Sequence, residues 1–74
     1  MVIITYFKPN LLIQSDTLMS GKVCVFDSKN HKELLSVNVF HEDFVSIKAM
    51  RDWPKDINIE IDTGKKRISK QIII

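Results

Sequence analysis

Alanine occurs once in the 74 residues, at Ala49, glycine and proline twice each, and cysteine once. The shortage of alanine speaks against a helical domain, because alanine loses no side-chain entropy in a helix and helical domains use it freely. The lone Cys24 excludes an internal disulfide, so a chain this short must rely on its core or on a partner. With only Gly21 and Gly64, no glycine-rich loop is present to cradle a phosphate. No apolar run approaches the roughly 20 residues that a membrane-spanning helix needs, so no membrane span is expected. No basic-then-apolar leader ending in small residues opens the chain, so no signal peptide is expected within it. Charge of one sign is also lacking. Eleven Lys and Arg against nine Asp and Glu leave a net charge of +2, with both signs interspersed and no low-complexity tract, which argues against disorder.

What the chain does have is β-branched residues, with eleven isoleucines and six valines. Such side chains are stiff at their first torsion and pack well on a pleated surface. The length allows one domain, residues 1–74, and a chain of this size buries only roughly 60% of its unfolded surface. Strands are expected over Val2 to Phe7, Leu11 to Gln14, Lys22 to Asp27, Glu33 to Phe40, Phe44 to Ala49, Ile57 to Asp62 and Arg67 to Ile74. The plainest signal is Ile57, Ile59 and Ile61 alternating with Asn58, Glu60 and Asp62, a period of two with one buried face.

Pro9 ends the first strand, because proline has no N–H for a ladder. Ser15 to Gly21 reads as a loop with Leu18 and Met19 tucked beneath it. Ser28-Lys29-Asn30-His31 and His41-Glu42-Asp43 read as turns, and Asp62-Thr63-Gly64-Lys65 as a tight turn. The apolar end of the last segment suggests a central strand. Seven short strands with turn signals roughly every ten residues point to an all-β sandwich or small barrel, since no connection carries a helical period. Two antiparallel sheets packed face to face satisfy this best. The expected core is Ile13, Val23, Val25, Leu35, Val37, Val45, Ile47, Ile57, Ile59, Ile61 and Ile72.

Residues able to do chemistry are few. His41, Glu42 and Asp43 look like metal ligands on paper, but neighbours on an extended chain point in different directions, and no cysteine or third histidine is spaced to help. Asp27, Asp43, Asp52, Asp56 and Asp62 fall at strand ends or in loops, where Asp side chains bond local N–H groups; the calcium-loop spacing is missing. No frame for a Ser/His/Asp set is present. Cys24 lies within Val23-Cys24-Val25-Phe26 and reads as a small strand filler. No catalytic residue, metal or cofactor is therefore expected, and no enzyme. The basic segment Lys65, Lys66, Arg67 and Lys70 could touch the phosphates of a single-stranded nucleic acid, but the low net charge and the facing Glu60 and Asp62 favour a solvated strand face. Trp53, before Pro54, is expected to cap one end of the core.

Three blocks of the chain resemble a known family. They are Lys22-Val23-Cys24-Val25-Phe26-Asp27 followed by a turn and Lys32-Glu33-Leu34-Leu35-Ser36; Trp53-Pro54-Lys55-Asp56-Ile57-Asn58-Ile59-Glu60-Ile61; and Thr63-Gly64-Lys65-Lys66-Arg67 running on to Ile74. They are similar to the closing hairpins of C-terminal sorting domains of the type IX (Por) secretion system in Bacteroidetes, and to small exported immunoglobulin-like domains of unknown function from those bacteria. The resemblance spans roughly residues 11 to 74. Asn30-His31 and Asp56 stand where the family pattern has glycine, and Asn58 where it has tyrosine.

The resemblance implies an antiparallel immunoglobulin-like β-sandwich of about seven short strands, working outside the cytoplasm in the periplasm, at the cell surface or after secretion. The expectation is a non-enzymatic module that acts through protein contacts. A protein partner or a homo-oligomer would pair at a strand edge, and the contact surface would draw on Trp53, Lys65, Lys66, Arg67 and Lys70. The alternatives are a sorting signal of a larger protein and a small barrel that binds single-stranded nucleic acid.

Overall fold

Alternation of apolar and polar residues runs through most of the chain, and the computed structural model, which describes residues 1–74, turns it into five antiparallel strands and no helix. They are β1 (Val2–Phe7), β2 (Asn10–Asp27), β3 (Glu33–Lys48), β4 (Asp56–Asp62) and β5 (Arg67–Ile73). The chain is all-β and antiparallel, as its isoleucine and valine content predicts.

The strand count differs from the expected seven, because two predicted connections are not turns. Ser15 to Gly21 continues β2, which is 18 residues long, and His41-Glu42-Asp43 continues β3, which is 16. The polar residues that suggest loops sit where these strands pass from one half of the sheet to the other. The ladder between them is interrupted from Gln14 to Met19 and shifts register there and again between Met19 and Gly21, while both strands run on.

This long hairpin organises the sheet. The first part of β2, Asn10 to Gln14, lies between β1 and the last part of β3, Phe44 to Lys48. The second part, Lys22 to Asp27, lies between the first part of β3 and β4, and β5 pairs with the far side of β4. The sheet thus curls into a half of three strand segments and a half of four. β5 is an edge strand and not a central one; its apolar residues Ile68 and Ile72 pack on the core from the rim.

Both halves supply the core. Ile4, Leu11, Ile13 and Ile47 come from the three-segment half, and Val23, Val25, Val39, Ile57, Ile59 and Ile61 from the other. Met19 is buried at the crossing, whereas Leu18 beside it is exposed, because successive strand residues face opposite ways. Of the expected core, Leu35, Val45 and Ile72 are only half-buried and pack against it, and Val37 is half-buried. Each fully buried isoleucine or leucine contributes about 1.5–3 kcal/mol relative to its exposed state.

The β2–β3 turn is built by side chains. The carboxylate of Asp27 accepts the N–H of Lys29 at 2.9 Å, the Asn30 side chain accepts that of Lys32 at 2.8 Å, and His31 takes the left-handed backbone with φ 59°. Asp62 does the same for the β4–β5 turn, accepting the N–H of Gly64 at 2.9 Å, and Gly64 has φ 85°. Gly21 answers a different need. Here β2 presses against the end of β4, and a Cβ at position 21 would collide with the backbone carbonyl oxygen of Asp62. Backbone cannot yield as a side-chain tip can. Gly21→Ala is expected to destabilise the fold by about 1–3 kcal/mol, a drop on the order of 10 °C in the thermal midpoint. A calorimetric scan checks it; an unchanged midpoint would show that the crossing tolerates a methyl group.

Candidate functional site

The alternation that fills the core also decides where polar side chains go. On β5, Ile68, Lys70 and Ile72 share the inward row, and Arg67, Ser69 and Gln71 the outward one. The four cations of the basic segment are therefore not on one face. Lys65 and Lys66 are exposed in the β4–β5 turn. Arg67 turns outward and its guanidinium lies 3.2 Å from the Asp62 carboxylate. Lys70 reaches across the open side of the curl, and its ammonium donates to the carbonyl oxygen of Ile4 at 2.9 Å. Ile4 belongs to β1, so Lys70 ties the two strands that end the curled sheet.

Trp53 is half-buried against the core, in a tight turn where its N–H donates to the carbonyl of Met50 at 3.2 Å. It precedes β4, whereas Lys65 and Lys66 follow it. The length of that strand, about 20 Å at about 3.3 Å per residue, separates them. Trp53 and the basic turn thus stand at opposite ends of β4 and do not form a joint surface.

His41, Glu42 and Asp43 lie within β3 and are exposed. His41 has a left-handed backbone, φ 51°, and its N–H donates to the Ser20 hydroxyl at 3.1 Å, fastening β3 to β2 at the crossing. Its ring meets that of Phe40 edge-on, with centroids 4.3 Å apart. A shallow groove of about 340 Å³ brings His41 near Thr17, Thr63, Lys65 and Lys66, with no carboxylate in its lining. Cys24 faces outward between Ser36 and Glu60, with a long 3.9 Å contact to the Ser36 hydroxyl.

The feature that sequence reasoning missed is the free side of β3. This strand pairs only with β2, so its other side is unpaired along both halves of the sheet. A groove of about 480 Å³ runs beside it, lined in part by Val37, Phe40, Glu42, Phe44 and Val45. Phe40 is 75% exposed and Phe44 47%. Both phenylalanines sit next to the predicted His41–Asp43 turn and were legible only as strand termini. Once β3 is continuous, they become the middle of an edge. No helix is long and apolar enough to cross a membrane. Compared with family models, curated proteins and solved structures, the chain matches none.

The Asp62 carboxyl is held below the usual carboxylate range, first by the N–H of Gly64 and then by the Arg67 guanidinium. Folding lowers its pKa, so its stabilisation is fully present above the unfolded value of about 4 and is lost as pH falls through the folded value. Asp62→Asn is expected to lower the thermal midpoint at neutral pH and to flatten the decline of that midpoint in acid. A midpoint-against-pH series reads both; parallel curves for the two proteins would remove Asp62 from the acid response.

Proposed function

We propose that the chain is a non-catalytic, immunoglobulin-like β-sandwich that works outside the cytoplasm by binding protein through the free edge of β3. The edge is the observation that carries the reading. An unpaired strand offers a row of N–H and C=O groups that another strand can complete, and the exposed rings of Phe40 and Phe44 add apolar area beside that row.

The strand pairing supports the sandwich. With β2 and β3 each divided at the crossing, the chain has seven segments. The first pairs with the second and the second with the fifth, giving a three-segment half. The fourth, third, sixth and seventh pair in that order, giving a four-segment half. Sandwiches of the immunoglobulin type distribute seven strands between two packed sheets in a comparable way, with the second and third strands in opposite sheets. The placement outside the cytoplasm rests on the likeness of the three hairpin blocks to type IX sorting domains and exported domains.

A photo-crosslinking residue placed at Phe40, and separately at Ser69 on the outer face of β5, tests the reading in cells that export the protein. Crosslinks are expected to concentrate at position 40. Equal yields at the two positions, or none at either, would end it. A reporter carrying a cleavable leader and residues 11–74 at its C-terminus, in a type IX-competent host, separates this reading from a sorting signal. The contact module leaves the reporter in the periplasm; a sorting signal delivers it to the surface.

A further inference from the structure

The first half of β3 is self-complementary about its middle residue. It runs Leu34, Leu35, Ser36, Val37, Asn38, Val39, Phe40. Laid antiparallel to a second copy with Val37 facing Val37, it pairs Leu34 with Phe40, Leu35 with Val39 and Ser36 with Asn38. Apolar residues meet apolar and polar meet polar. The two faces also stay separate. Leu35, Val37 and Val39 lie in the row that faces Val25, Val23 and Gly21 of β2, and Leu34, Ser36, Asn38 and Phe40 in the row opposite. Pairing about residue 37 matches odd positions with odd and even with even, so the core row of one copy continues into the core row of the next.

The same stretch lacks the devices that keep edge strands apart. It has no charged residue, no proline and no glycine over seven residues, among them the strand-favouring Val37, Val39 and Phe40. The other two rims differ. β5 carries Lys70 pointing inward and Arg67 outward, and the Ile4 carbonyl of β1 already accepts the Lys70 ammonium. Beyond Phe40 the chain turns at the left-handed His41 into the other half of the sheet, which limits a straight pairing to these residues.

We propose that two copies of this chain associate through β3, antiparallel and centred on Val37, to form one eight-stranded sheet across a two-fold axis. The contact is isologous, each copy offering the other the same surface, so it closes at two and does not propagate. This rests on the reading of β3 as the contact edge and names a second copy as its partner.

Size-exclusion chromatography with light scattering tests it. The wild-type chain, of 8.6 kDa, is expected to run at twice that mass at high micromolar concentration and to dissociate on dilution. Ser36 and Asn38 are exposed and face each other's copies in this register. The double variant S36K/N38K sets lysine against lysine and is expected to be monomeric, whereas S36K/N38E sets lysine against glutamate and is expected to remain a dimer. A wild type that stays monomeric, or two variants of equal mass, would overturn the proposal. A measurement without added charge guards against variants that fail to fold. With Cys24→Ser, Val37→Cys is expected to oxidise to a covalent dimer, and Phe44→Cys, on the same edge but off the axis, is not. Equal crosslinking at both positions would reject the register. A monomer that still crosslinks other proteins from position 40 would refute the dimer and leave the contact module standing; absence of crosslinks at 40 would remove the module itself.

Discussion

β2 has to serve in both halves of the sheet at once, and the rest of the structure follows from how it does so. Its inward residues must face one core before and after the crossing. From Gln14 to Gly21 the chain advances seven positions along β2, while the partner strand advances five, from Val39 to Phe44, a slip of two. Because side chains alternate with a period of two, an even slip leaves every inward residue inward. Leu11, Ile13, Met19, Val23 and Val25 are all odd-numbered and all buried. A slip of one would have turned half of that row to solvent. Gly21 gives the crossing strand room against the Asp62 backbone, and the bond from His41 N–H to the Ser20 hydroxyl fastens the partner strand there.

The alternating rows were legible because burial on one face of a strand imposes a period that composition cannot hide. Ile57, Ile59 and Ile61 sit in the core as their pattern predicts, and Asp27 and Asp62 form their turns by accepting N–H groups two residues on. The crossings were not legible. Ser15 to Gly21 and His41 to Asp43 carry the polar composition of loops, since a strand passing between two halves of a curled sheet is largely exposed there and Met19 alone keeps the inward row going. A local pattern cannot distinguish a mostly polar strand with a single buried side chain from a loop. Ile4 and Leu11 were missed for a related reason: each stands in a mixed run, Ile3 beside Ile4 and Leu12 beside Leu11, where both faces read as apolar.

The candidate site shows the same division. Lys70 stands in a basic stretch and reads as part of a charged face, yet strand parity alone places it in the inward row with Ile68 and Ile72. Its long stem lies along that row while the ammonium reaches the Ile4 carbonyl, so the charge is not left unpaired. A cation there hinders further pairing at the β1–β5 side, because an added strand would have to displace or bury it. The charge that reads in the sequence as part of a solvated face or a contact surface thus lies across the gap of the curl, bonded to the backbone of β1.

The opposite side of the curl is different. Unpaired N–H and C=O groups along an edge strand are a template for pairing with another chain unless charge, proline or a bulge blunts them. Lys70 deals with the gap between β1 and β5. β3 cannot be sealed in the same way, because it is one strand running through both halves, and its free side has no facing strand from which a lysine could reach it. Along that side run the seven uncharged residues from Leu34 to Phe40, then the bend at His41 and the carboxylates of Glu42 and Asp43, then Phe44 to Lys48. Those charges and that bend interrupt the edge between its two halves and leave the stretch before them uncharged. An edge interrupted in this way offers, on its first half, a short, straight, uncharged run of unpaired N–H and C=O groups.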